Sequence, residues 1–246
     1  MKSYIKFICI LLLAGCDNDF KNSNLELSNF IKPEYSFKES FFNCKLVEGQ
    51  TLNSVERFIP KFINSFEQMG YNSEELYFLF PVKDKEETTE TQFFNILLKH
   101  GEATSLDRFN LTLGELRFNE IATCNSSTVS NNSLRLTNQT NFNSPVISEI
   151  LDCEYINGFN YATMKLVLEQ FTDALKKNNS PVDVIYSEQE SLNNNFKWTN
   201  IFLSLESRQD FVESWQELEI SKEIQELLLE QSTCQSSKTY RQYKVL

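Results

Sequence analysis

Two short stretches constrain this chain more than anything else in it: Cys44-Lys45-Leu46-Val47-Glu48-Gly49 and Cys153-Glu154-Tyr155-Ile156-Asn157-Gly158. Each reads Cys-x4-Gly, follows an apolar run and precedes a stretch of helical periodicity. Each also has a partner downstream, Thr123-Cys124-Asn125-Ser126-Ser127 and Thr233-Cys234-Gln235-Ser236-Ser237, both of the form Thr-Cys-x-Ser-Ser. The paired cysteines are 80 and 81 residues apart. Landmarks of matching type at matching spacing indicate a tandem duplication, and a long internal repeat decides the fold before any single element does.

The N-terminus gives an address. Lys2 and Lys6 make a basic segment ahead of a short apolar run over residues 7–13. This is the pattern of a signal peptide, and the apolar run is too short to span a membrane. It ends in Leu13-Ala14-Gly15-Cys16, which resembles the lipobox of bacterial lipoproteins. The resemblance covers about the first sixteen residues. It implies that Cys16 becomes the first residue of the mature chain, with a diacylglyceryl group on its sulfur. Each buried acyl CH2 contributes about 0.8 kcal/mol, so several chains anchor a domain firmly. Asp17 resembles the signal for retention at the inner membrane, which implies a cell-membrane anchor facing the periplasm; the outer membrane is the other address. Residues 1–15 are then the leader, and residues 16–34, rich in Asn, Ser and Lys, a lipidated flexible tether.

Cysteine arithmetic follows. Of six cysteines, Cys9 departs with the leader and Cys16 is lipidated, leaving Cys44, Cys124, Cys153 and Cys234. An even count in an exported chain argues for two disulfides. Four cysteines allow three connectivities, and the duplication selects Cys44–Cys124 with Cys153–Cys234. Closing loops of this length contributes about 4 kcal/mol per bridge in the chain-entropy account. A structural metal site would need close Cys-x-x-Cys pairs, which the sequence lacks, so no metal is expected.

Charge narrows the partners. Without Lys2 and Lys6 the chain carries 21 basic and 34 acidic residues, a net charge of −13. That balance argues against nucleic acid and against adhesion to anionic lipid.

The first repeat occupies residues 35–136. Phe42, Cys44 and Leu46 alternate as a strand. Leu52, Val55, Ile59, Phe62, Phe66 and Met69 form a helical stripe that Gly70 would cap, with Pro60 expected to kink or divide it. Strands are expected over residues 76–82 and 92–99. A second helix through Leu106, Phe109, Leu113, Leu116 and Ile121, broken near Gly114, should reach Cys124, and a short strand near residues 134–136 closes the unit. Residues 137–144 are the linker. The second repeat, residues 145–246, follows the same order, with strands over 182–186, 196–205 and 240–246 and a long helix broken between Leu218 and Lys222.

Each repeat therefore reads β-α-β-β-α-β, a ferredoxin-like unit of the α+β class. Helices cover one sheet face, and two tandem copies can bury the other by packing sheet to sheet. That topology resembles the dimeric α+β barrel of small monooxygenases and related binding proteins. The resemblance spans both repeats and carries no catalytic motif, so what it implies about activity is an analogy of fold.

A search for chemistry in the sequence is mostly negative. His100 is the one histidine, so no Ser-His-Asp or Cys-His arrangement is completed elsewhere. Six glycines offer no phosphate loop, and no cofactor is expected. The acidic residues lie mainly on polar helix faces. Aromatics give the one site signal: Phe196, Trp198, Asn200, Phe202 and Ser204 share a strand face, with Phe93 and Phe94 in the corresponding place of repeat one. As plain core these side chains fill the space between the sheets. As a site, Trp198 and Phe202 wall a cavity, with Asn200 and Ser204 orienting a small apolar ligand. The leading expectation is a lipid-anchored envelope protein that binds a small apolar ligand or a protein partner without catalysis. The alternatives are a cofactor-independent oxygenase or isomerase working in the inter-sheet cavity, and a structural component of the envelope.

Overall fold

The computed structural model describes residues 35–68, 75–82, 92–100, 103–137, 145–189, 194–235 and 237–246. The leader, Cys16, the tether and most of the expected linker lie outside the described residues.

The first described element is strand β1 (Tyr35–Leu46), buried on both faces at its centre, Ser40 to Phe42, with Ser36, Lys38, Asn43 and Lys45 exposed towards its ends. Gly49 then turns the chain at φ +81°, a left-handed conformation that disfavours any side chain. Helix α1 (Leu52–Gln68) follows and buries Val55, Phe58, Phe62 and Phe66 at intervals of three and four residues. Pro60 sits on its exposed side within a single helical element rather than dividing it. Strands β2 (Glu75–Pro81) and β3 (Phe93–Lys99) and helix α2 (Ala103–Glu115) come next. The helix stops short of Cys124: Arg117 turns left-handed at φ 55°, and a short 3-10 turn, Phe118–Glu120, buries Phe118.

Strand β4 (Ala122–Arg135) is the main departure from the sequence reading, which placed only a short strand near residues 134–136. Residues 125–132 are almost all Ser, Asn and Thr, so no apolar alternation marks them. They are extended because β1 pairs with β4 along this stretch and β6 pairs with its other side from Val129 onward. Their polar side chains pair locally, as where Ser36 Oγ donates to Asn132 Oδ1 at 2.7 Å.

The same order returns in β5 (Val146–Tyr155), α3 (Tyr161–Lys177), β6 (Asp183–Gln189) and β7 (Asn195–Phe202). Gly158, at φ +96°, stands where Gly49 stood. Asn160 caps α3 by accepting from the backbone N–H groups of Ala162 and Thr163. Helices α4 (Leu205–Glu217) and α5 (Glu219–Gln231) meet at an extended Leu218, the break expected from the sequence. Strands β8 (Ser232–Cys234) and β9 (Lys238–Lys244) end the described chain.

All strand pairs are antiparallel, and they close on themselves. The ring runs β5-β7-β6-β4-β1-β3-β2-β9 and back to β5, with β8 extending the far end of β5. The pairings β4–β6 and β2–β9 join the two halves edge to edge. The halves therefore share one hydrogen-bonded wall in which, among the described residues, every long strand has a neighbour on each side over part of its length, which limits the exposed edge of an open sheet. Outside the wall, α1 and α2 cover one apolar cluster around Phe62, Phe78 and Phe109, while α3, α4 and α5 cover another around Leu168, Tyr186 and Phe202. Inside, a smaller cluster of Phe41, Tyr77, Leu79, Leu97, Ile150 and Tyr240 lines the lumen.

Both expected disulfides are present, Cys44–Cys124 and Cys153–Cys234. Each joins directly opposed residues on neighbouring strands, with Cα atoms 4.0 Å apart, rather than a strand end and a helix end.

Candidate functional site

Period-two alternation on closed strands gives each residue one of two fates. On β1, Phe42 and Cys44 pack under helices, whereas Phe37, Glu39 and Phe41 face the lumen. On β7, Phe196, Trp198 and Phe202 pack under helices, whereas Lys197, Thr199 and Ile201 face the lumen. The four residues singled out from the sequence are therefore placed away from the lumen. Trp198 lies edge-on to Phe171 beneath the helices, and its Nε1 donates to Asn200 Oδ1 at 2.8 Å. Ser204 accepts from the backbone of Ser207 as the N-cap of α4. Phe94 is core beneath the helices of the first half, and Phe93 is exposed.

The lumen encloses a cavity of about 80 Å³. Its middle is apolar, walled by Phe41, Tyr77, Leu97, Ile150 and Ile201. Charged groups stand around that belt. Glu75 accepts hydrogen bonds from Tyr77 Oη at 2.9 Å, Lys99 Nζ at 3.1 Å and Lys244 Nζ at 3.1 Å. Burial opposes its ionisation, but these donors outweigh burial and hold the carboxyl below the usual range. Lys197 is ion-paired with Asp152 and lies 5.1 Å from the centroid of the Phe41 ring.

Glu39 differs from these. It is opposite Lys99 on β3 and Val129 on β4, and the surface it retains faces the cavity. Asn131 Nδ2 donates to its Oε2 at 3.0 Å. Removal from bulk water outweighs that hydrogen bond and the attraction of Lys99, and raises its pKa from 4.5 to about 7. The buried Asn131 Oδ1 has no hydrogen-bond partner. A protonated Glu39 carries the O–H that this oxygen lacks, since a turn of the amide exchanges its donor and acceptor. A carboxyl that changes charge near neutrality beside a small apolar cavity is suited to moving protons.

Sequence reasoning passed over Glu39, although a signal existed. In Phe37-x-Glu39-x-Phe41 a carboxylate shares one strand face with two aromatic rings, and such a face has to be buried. The one histidine is elsewhere: His100 Nε2 is hydrogen-bonded to Ser40 Oγ at 3.0 Å, at the rim of the barrel, and lines neither the lumen cavity nor the cavity beside it. A second buried titratable group, Tyr155 with Tyr186 and Glu188, lies beneath the helices of the second half, where burial first and neighbouring negative charge after it raise the phenol pKa of Tyr186.

No family model matches the sequence, and no curated protein matches it either. Solved structures do match the fold. A candidate monooxygenase from Lactobacillus acidophilus NCFM aligns at a TM-score of 0.54 and 12% identity, over 83% of this chain and 94% of that one. An anthrone oxidase-like protein aligns at 0.52 and 10% identity, over 85% and 93%. A mutant chlorite dismutase from Candidatus Nitrospira defluvii, in complex with cyanide, aligns at 0.54 and 9% identity, over 85% and 91%. The architecture is thus the closed antiparallel α+β barrel of the dimeric α+β-barrel proteins. The leading expectation, a binding protein without catalysis, is corrected at this point: the proteins that share this architecture carry the names of oxidative enzymes.

Proposed function

We propose that this chain is a cofactor-independent acid–base enzyme, an oxygenase or isomerase, whose active site is the barrel lumen and whose general base is Glu39. The observation that carries the reading is the Glu39 carboxyl, raised to about 7, on the wall of an apolar cavity. As carboxylate it takes a proton from an activated C–H or O–H of the substrate and becomes the acid. Lys99, beside it on β3, offers positive charge to the enolate or phenolate so formed. An isomerase returns the proton to a different carbon. An oxygenase lets the electron-rich anion react with dioxygen. Asn131 positions the carboxyl through its amide.

The strand registers support a duplicated ferredoxin-like origin, with residues 35–136 and 145–246 as the two copies joined by 137–144. Aligned on their cysteines, Glu39 corresponds to Ser148, Lys99 to Ile201, Glu75 to Asp183 and Asn131 to Gln242. The amide-to-partner hydrogen bond persists in the second copy, where Ser148 Oγ pairs with Gln242 Oε1, but the titrating carboxyl does not. One barrel then contains one base.

Haem finds no histidine or free thiolate among the residues lining the lumen cavity: His100 does not line it, and Cys44, Cys124, Cys153 and Cys234 are tied in disulfides. The expected address, an envelope membrane reached through a lipid on Cys16, belongs to the same proposal.

The test is proton abstraction itself. Proton NMR follows α-hydrogen exchange of single-ring ketones such as acetophenone in D2O, and an oxygen electrode follows oxidation of hydroquinone. Wild type should accelerate one of these, with a rate that rises through about pH 7 as Glu39 ionises. Glu39→Gln should lose at least about a hundredfold, the low end of what a positioned base contributes. Equal rates in the two proteins would overturn the assignment.

A further inference from the structure

The lumen cavity is too small for the ligand its walls suit. At about 80 Å³ it falls below the ~150 Å³ of an apolar cavity that accepts one benzene ring. Beside it is a second cavity of about 230 Å³, bounded by Asp152, Asn195, Thr233, Gln235 and the Cys153–Cys234 disulfide. The two cavities share three wall residues, Val129, Ser187 and Lys197. Lys197 is the partition between them. Its ammonium pairs with Asp152, which lines the outer cavity alone, and also lies over the ring of Phe41, which lines the inner cavity alone.

The outer cavity exists because the last strand is interrupted. β8 pairs with β5 over three residues, and β9 resumes the ladder at Lys238 opposite Ile150. Between them the chain is held to β5 by Gln235, whose N–H donates to the Asp152 carbonyl. In the other half β4 pairs with β1 without a break from Ala122 to Ser133.

We infer that Lys197 is the gate of the lumen and that the molecule it admits is an uncharged, single-ring compound. The inference rests on the lumen being the active site. With Lys197 swung aside the joined space reaches roughly 300 Å³, the lower bound of ordinary small-molecule sites. The swing is easy. The pair's side chains keep 23% and 38% of their surface, and such a partly exposed pair biases an equilibrium by no more than about fivefold, or about 1 kcal/mol. The charge class follows from pairing: Lys99 and Lys244 are held by Glu75, and Lys197 by Asp152. An anion entering the lumen would have to compete with Glu75 and Asp152 for these lysines, whereas the apolar walls of Phe41, Leu97, Ile150 and Ile201 suit a neutral ring.

Fluorine exchange NMR on the full chain at pH 6 tests this with 4-fluorophenol, which is neutral, and 4-fluorobenzoate, which is an anion on the same ring. The phenol should bind and the benzoate should not. Lys197→Met and Asp152→Asn break the gate from opposite sides. Both should raise the entering and leaving rates of the phenol together, by up to about fivefold, while its affinity changes less. Unchanged rates in both variants, or tighter binding of the benzoate, would overturn the inference. Carbon-13 detection of the Glu39 carboxyl separates it from the reading it rests on. A phenol that shifts the Glu39 titration yet moves at the same rate in all three proteins removes the gate alone. A phenol that fails to bind, or binds without touching that titration, removes the lumen as the site and the gate with it.

Discussion

Replacing Glu39 by glutamine should stabilise the protein above neutral pH, although Glu39 is buried and hydrogen-bonded. The sign follows from linkage. The folded pKa lies above the unfolded one, so between them the unfolded chain releases a proton that the folded chain keeps, and stability falls as pH rises. The window runs from 4.5 to about 7, roughly two and a half pH units. At about 1.4 kcal/mol per unit the loss is at most about 3 kcal/mol, complete above pH 7. Solvent in the lumen lowers that figure, so it is a ceiling. Glutamine should not bring a penalty of its own. Its carbonyl can accept from Asn131 Nδ2, and its amide N–H can donate to the Asn131 oxygen that lacks a partner.

The measurement is urea unfolding of wild type and Glu39→Gln at pH 4.5, 6 and 8, compared as a difference so that other titrations cancel. The two should coincide at the lowest pH and separate by up to about 3 kcal/mol at the highest, with the variant more stable. Glu75 acts with the opposite sign, but its depressed pKa puts its effect below this window. Parallel curves from pH 4.5 to 8, or a glutamine variant weaker than wild type at pH 8, would refute both the raised pKa and its cause.

Two further outcomes bear on the rest of the molecule. Phe202 is fully buried under α4 against Phe211, so Phe202→Ala should cost about 3–5 kcal/mol in chemical denaturation; a change under about 1 kcal/mol would mean the helices do not cover β7 as described. Cys16→Ser should move the protein from the membrane to the soluble fraction of cells, and a variant that still sediments with membranes after a salt wash would end the lipoprotein proposal.

The disulfides and the turn after each first strand were legible because paired cysteines and the glycine that follows are punctuation that burial cannot mask. Cys44 and Cys153 face helices, and their partners stand directly opposite, so spacing alone gave the pairing. Strand β4 was not legible. Its ladder to β1 and β6 is a tertiary fact, and residues 125–132 carry no local preference that announces it. That Trp198, Asn200 and Phe202 lie on the helix side was not legible for a related reason. Both faces of β7 are buried, one by helices and one by the lumen, and the more apolar face drew the eye. In a closed barrel covered by helices the apolar face is the helix side. The lumen cavity is lined by the face with Lys197 and Thr199, which looks solvent-exposed when the strand is read alone.

On the proposed reading, duplication within one chain has a consequence for catalysis that a pair of identical chains could not achieve. In a symmetric dimer every inward residue appears twice, so a base at the Glu39 position would face a second copy across the same lumen. Two carboxyls sharing an apolar space resist ionising together, and one of them would be raised well beyond neutrality. Here the second position is Ser148, and the position matching Lys99 is Ile201. Both replacements remove charge. The second copy keeps the scaffold, with its Ser148–Gln242 hydrogen bond, and supplies Ile150, Ile185 and Ile201 to the cavity wall beside the charged Asp183 and Lys197. The open end near Cys234 belongs to that copy too. On the proposed reading the first repeat carries the base and the second carries the way in, a division of labour that requires the two halves to differ.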